Sequence, residues 1–261
     1  DYKLFDQTIR YIACDEKYWN KFKPRPKTVP ERQLINLKVA RATTCADWFL
    51  HIDSDEFLHL EIGFDEIVNP LPLDVTEIRL QNFERIMFTD ASTWHSGAFR
   101  VPCWDKVVLS NYPVSIHRFL GLGLANYYHG KSFVKHVPQL VQGIHGGLRK
   151  SEYEVIRFSL PWRSGFIGHF QYNGRESFYK RFAHKFKDRE MLLKHELNQA
   201  SWIVRNNFAR HKLFQLGISL FEADEATADR YLQKGLFREI PQQFSERIEN
   251  SFDRMHLRIS K

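Results

Sequence analysis

The segment 28–56 constrains this fold more than any other. Thr28-Val29-Pro30-Glu31 is a capping box with proline in the first turn, a helix-start signature. After it, Ile35, Val39, Ala42 and Ala46 recur at three- and four-residue steps and predict an amphipathic helix. Arg32, Lys38 and Arg41 fall off that apolar stripe. The helix gives way to Trp48-Phe49-Leu50-His51-Ile52, which reads as a buried strand and ends in Asp53-Ser54-Asp55-Glu56. A helix feeding a strand whose carboxyl end carries acids points to an α/β fold, and ligands bind at that edge of open α/β sheets.

Downstream, Thr76 to Leu80 alternates polar and apolar residues, and Arg100 to Leu109 is a second strand candidate, with a loop expected around Trp94-His95-Ser96-Gly97. Gly, Pro and β-branched residues thin out beyond residue 173. Asn173-Gly174-Arg175-Glu176 is an N-cap pattern opening a helix with Phe178, Phe182 and Phe186 on one stripe. The expected division is therefore a sheet domain over 1–173 and a helical subdomain over 174–261.

Composition narrows the class. Aromatic residues at 15% and hydrophobic residues at 43% exclude disorder. The longest near-apolar stretch, Phe119 to Ala125, is far short of the ~20 residues a membrane-crossing helix needs. The three cysteines, Cys14, Cys45 and Cys103, form no C-x-x-C, so neither a disulfide framework nor a zinc knuckle is indicated. With no N-x-S/T sequon, this favours a cytoplasmic location. The +7 charge, from 38 basic against 31 acidic residues, is too scattered to announce nucleic acid; an anionic small substrate or peripheral contact with the inner face of an anionic membrane fits it.

The acids carry the chemistry. Consecutive carboxylates after a buried strand repel unless a cation or a proton neutralises them. Mg²⁺ or Mn²⁺ would do so through oxygen ligands and keep positions open for phosphate oxygens. The bland alternative is a solvated strand-end turn with Asp53 as a helix cap.

Trp48 through Leu58 resembles the W-x-x-x-x-D-x-D-E-F-L signature of bacterial glycosyltransferase family 2-like proteins, which have a GT-A fold. The stretch holding Arg32-Gln33 is similar to the one before that signature. Looser similarity continues through His129-Gly130-Lys131-Ser132-Phe133-Val134, Gly168-His169-Phe170 and Ser177-Phe178-Tyr179-Lys180, so the likeness spans roughly 28–187. It implies a GT-A-like (Rossmann-like) mixed sheet flanked by helices with a helical C-terminal subdomain. It also implies transfer of a sugar from a nucleotide-diphosphate donor to a glycan or other hydroxyl acceptor, dependent on Mn²⁺ or Mg²⁺. Carried over by position, Asp55 ligates the metal, Asp53 binds the metal or the donor ribose, and Glu56 supports that shell or meets the acceptor. Arg32, Gln33 and Lys131 fall on the donor side, Lys131 as a counter-charge to the diphosphate. His145, in the glycine-rich Gly143-Ile144-His145-Gly146-Gly147, is the expected third metal ligand, with His129 and His169 as competitors. Glu84, Asp105 and Glu152 are undifferentiated general-base candidates.

Because GT-A proteins place further strands before these acids, the 52 residues preceding Asp53 read as an N-terminally incomplete domain, with room for one strand at Thr8 to Ala13. Two other classes compete: a metal-dependent phosphoesterase using the same acids with histidines, and a basic aromatic nucleic-acid module. The second is disfavoured because the aromatics lie within expected strands and helices.

Overall fold

A computed structural model of the chain describes residues 12–90, 96–117, 120–125, 128–149, 154–176 and 218–259. In chain order its helices are α1 (Glu16–Trp19), α2 (Val29–Ala42), α3 (Phe64–Val68), α4 (Lys106–Leu109), α5 (Val114–His117), α6 (Glu225–Gln233) and α7 (Gln242–Ile259). The strands are β1 (Trp48–Leu50), β2 (Glu56–Leu60), β3 (Glu77–Phe88), β4 (Ala98–Arg100), β5 (Lys131–Lys135), β6 (Leu140–Gln142), β7 (Gly147–Arg149), β8 (Arg157–Ser159), β9 (Gly165–His169), β10 (Glu222–Ala223) and β11 (Phe237–Glu239).

Strand β3 organises the sheet. Its first residues pair with antiparallel β5 and parallel β8. Its middle pairs with parallel β9 and antiparallel β4, and its last two residues with parallel β10. Strand β1 extends the sheet beyond β5, β11 beyond β4 and β2 beyond β9, all antiparallel. A separate β6–β7 hairpin lies alongside.

This topology corrects the expected GT-A-like (Rossmann-like) class. Five of the eight pairings in the main sheet are antiparallel, and every parallel one involves β3. In a Rossmann-type sheet, helix-linked strands lie parallel to one another. Here the strand that α2 feeds, β1, pairs with antiparallel β5. The fold is an α/β arrangement around an open, mainly antiparallel sheet.

The capping box forms as expected. Glu31 N–H donates to Thr28 Oγ1 at 3.3 Å, and Thr28 N–H donates to Glu31 Oε2 at 2.9 Å. The expected stripe is not the buried face: Leu37 is the buried residue of α2, while Ile35 and Val39 are half-buried and Ala42 is exposed. Polar side chains instead tie α2 to its surroundings, Gln33 to Asp53 and Arg41 to the Leu140 carbonyl. Nor is the Trp48 to Ile52 run a buried strand. Only Trp48–Leu50 is strand, all three are half-buried, and Ile52 is exposed.

The Thr76 to Leu80 alternation marks the start of β3. The Arg100 to Leu109 strand does not form beyond Arg100, because Asp105 accepts from Val107 and Val108 N–H and starts α4 there. Past residue 173 the described residues contribute strands β10 and β11 as well as helices α6 and α7. The Phe178, Phe182 and Phe186 stripe and nearly all of the Thr8 to Ala13 strand lie outside the described residues.

Burial on both faces of β3 explains the core. One cluster joins Ile78, Leu80, Phe133 and Ile167. Another joins Phe83, Phe99, Phe166 and Phe170 to Phe244 and Ile248 of α7, with Phe83 and Phe166 stacked at 4.7 Å between ring centroids. Among the described residues, no helix is long and apolar enough to cross a membrane.

Candidate functional site

The acids lie in a tight turn between β1 and β2, closed by Glu56 N–H donating to the Asp53 carbonyl at 3.0 Å. Register places the start of β5 beside the end of β1, since Leu50 pairs with Phe133. This brings Lys131, the first residue of β5, to the turn. Its Nζ lies 2.9 Å from Asp53 Oδ2 and 3.0 Å from Glu56 Oε2, and donates to the Ile144 carbonyl at 3.3 Å. The Lys131 and Glu56 side chains are each 1% exposed, whereas Asp53 is 34% exposed. From α2, Gln33 Nε2 donates to Asp53 Oδ1 at 2.6 Å, and Asp53 N–H donates to Glu56 Oε2 at 2.8 Å. Asp53 is thus held from both sides, by a helix and a strand.

The β6–β7 loop closes the other wall. His51 Nδ1 is 3.2 Å from the Ile144 carbonyl. A carbonyl only accepts, so Nδ1 carries the hydrogen and Nε2 keeps its lone pair. Burial lowers the His51 pKa below its usual value, and the Lys131 charge lowers it further against the opposing pull of Asp53 and Glu56. His145 behaves in the same way: burial first, then Lys131, outweigh Glu56 and Asp53. Both imidazoles are therefore biased to the neutral form.

The structure brings Gln33, Asp53, Glu56 and Lys131 into direct contact and His145 into their electrostatic neighbourhood. Asp55 turns towards the next strand. Its Oδ2 is 3.7 Å from His169 Nε2, and its carbonyl accepts from Phe170 N–H at 2.7 Å. Arg32 donates to the Lys27 carbonyl at the exposed start of α2, and exposed His129 packs on Tyr128. Of the base candidates, Glu84 is fully buried and accepts from Ala125 N–H at 2.7 Å. Asp105 caps α4, and Glu152 lies outside the described residues. His51 is the member that sequence reasoning passed over; its signal was a lone imidazole inside an otherwise apolar run.

This geometry overturns the metal. Among the described residues, no group of three or more His, Cys, Asp or Glu side chains is placed to hold a metal ion. The repulsion between Asp53 and Glu56 that called for Mn²⁺ or Mg²⁺ is relieved by the Lys131 ammonium. Without that cluster, and on a mainly antiparallel sheet, the GT-A identification has no support. The metal-dependent glycosyltransferase activity drawn from it, and the metal-dependent phosphoesterase alternative, fall with it. Comparison with protein-family models, curated proteins and solved structures finds no significant match to the chain.

Proposed function

We propose that the β1–β2 turn, Lys131 and the β6–β7 loop form a metal-free recognition site for the hydroxyl groups of a carbohydrate or other polyol. The observation that carries this reading is the Lys131 ammonium between Asp53 and Glu56. It keeps two carboxylates in fixed positions without an added cation, so lone pairs left on the partly exposed Asp53 can accept from ligand O–H groups. Two carboxylates, Asp53 and Glu56, against the single Lys131 ammonium leave the cluster net negative. An uncharged donor-rich ligand suits that balance better than an anion does. Neutral His51 adds an acceptor at Nε2. Of the expected partners, a glycan fits this chemistry.

A cytoplasmic setting accompanies the proposal. Cys14, Cys45 and Cys103 are all free thiols, and Cys14 and Cys45 are exposed, which suits a reducing compartment.

Isothermal titration with a panel of mono- and oligosaccharides, with and without EDTA, tests the reading. Saturable binding that survives EDTA and is lost in Asp53→Ala is expected. Absence of binding across the panel, or binding that needs a divalent ion, refutes it.

A further inference from the structure

A cavity of about 610 Å³ opens near the other end of β1 from the acids, between the C-terminal half of α2 and the β5–β6 connection. Its place is set by His136, whose backbone N–H donates to the Asp47 carbonyl at 2.6 Å and whose Nδ1 lies 3.3 Å from the Ala46 carbonyl. The Nδ1 hydrogen is therefore committed to Ala46, and Nε2 is left for a ligand. The volume lies within the range of small-molecule sites.

The wall is one-sided in charge. Lys38, Arg41 and His136 line it, and among the described residues none that lines it is acidic. Lys38 is exposed. Arg41 is anchored: Nη2 donates to the Leu140 carbonyl at 3.4 Å, and the guanidinium sits 5.2 Å from the centroid of the Phe49 ring. Its buried Nη1 has no hydrogen-bond partner among the described residues. Buried Gln142 shows the converse. Its Nε2 donates to the Gly143 carbonyl at 3.1 Å, which fixes the amide and leaves Oε1 with no hydrogen-bond partner among the described residues. Pro138 and Leu140 supply the apolar part of the lining.

We propose that this cavity binds a phosphate monoester, with its anionic oxygens on Arg41 and Lys38 and its organic part against Pro138 and Leu140. Two cations suit a group carrying about two negative charges at neutral pH better than a monoanionic carboxylate. Arg41 and Lys38 line the cavity and supply the positive charge that meets the phosphate oxygens. The same chemistry is offered by a soluble phosphate ester and by the headgroup of phosphatidic acid at a membrane surface.

Titration of the full chain with phenyl phosphate, and co-flotation with phosphatidylcholine vesicles with and without phosphatidic acid, separates the two sources. Phenyl phosphate carries no hydroxyl, so its behaviour reports on this cavity independently of the polyol site. Saturable phenyl phosphate binding weakened about tenfold by Arg41→Gln and by Lys38→Glu supports a soluble ligand. Flotation that requires phosphatidic acid and is lost in the same variants, without phenyl phosphate binding, supports the lipid headgroup. Lys38 is exposed, so Lys38→Glu keeps the test valid if Arg41→Gln fails to fold. Binding of neither probe, or binding that survives both substitutions, overturns the proposal.

Discussion

The ammonium of Lys131 lies 2.9 Å from a carboxylate oxygen of Asp53, although 78 residues separate them in the chain. The contact exists because antiparallel β1 and β5 bring the end of one strand to the start of the other. It turns an acidic turn from a place that calls for a metal into an internally compensated cluster.

Removing that compensation has a large expected effect. In Lys131→Met, Glu56 remains as a carboxylate that is 1% exposed and has lost its counter-charge. A loss of about 3–5 kcal/mol in urea unfolding is expected. Lys131→Met combined with Glu56→Gln should recover part of it, since no buried unpaired charge then remains. A double variant as unstable as Lys131→Met alone would contradict the ion-pair account.

The two imidazoles report on the same charges. Lys131 lowers and Asp53 raises the pKa of both His51 and His145. Asp53→Asn is therefore expected to lower both titrations further, and Lys131→Met to raise them, in NMR titrations under conditions where each variant is folded. Because both values lie below the ordinary 6.5, the unfolded chain binds these protons first as pH falls. Their contribution to stability is complete above pH 6.5 and is lost as pH drops through the folded values. Opposite shifts in the two variants are the decisive readout.

Parts of this fold and site are legible in the sequence for a physical reason, and parts are hidden for another. The start of α2 is readable because Thr28 and Glu31 bond to each other across a single turn. The beginning of β3 is readable as alternation from Thr76. Its continuation is not, because Phe83 through Ile86 are all buried and a strand covered on both faces loses its period. The acids stand out locally, but their partner is Lys131 on a distant strand, and no local spacing encodes that pairing. The α2 stripe misleads because Gln33 and Arg41 spend their polar groups on the protein rather than on solvent.

The approach to β5 depends on one backbone conformation. Gly130, immediately before Lys131, has φ +68°, and a Cβ there would lie 2.0 Å from the Leu80 carbonyl oxygen. Neither backbone can yield without breaking the β3–β5 ladder, so Gly130→Ala is expected to cost more than about 3 kcal/mol or to prevent folding. Gly174 is the control. Its φ is +93°, but among the described residues nothing lies within 4 Å of an added Cβ, so Gly174→Ala should cost about 1–2 kcal/mol of backbone strain alone. Equal thermal shifts in the two variants would refute the steric argument.

Glu77 sets the expected acid limit of the fold. Its fully buried carboxylate accepts from Ser132 Oγ at 2.7 Å, from Arg157 Nε at 2.7 Å and Nη2 at 3.2 Å, from Arg79 Nη2 at 3.1 Å and from Gly147 N–H at 3.2 Å. These bonds join β3, β5, β8 and β7 at one point. Burial is the largest single influence and raises the pKa, but the hydrogen bonds from Arg157 and Ser132 and the charges of Arg157 and Arg79 together outweigh it, leaving the group below its ordinary 4.5. A carboxylate lowered in the folded state contributes stability above the unfolded value and loses it as pH falls from 4.5 through the folded value, where the unfolded chain binds the extra proton. Glu77→Gln should therefore be less stable than the parent at pH 7, by about 3 kcal/mol. Its stability should also fall less steeply below pH 4.5. Urea midpoints collected from pH 7 down to about pH 3 for both proteins give the two slopes; parallel curves across the acid range would remove Glu77 from the linkage.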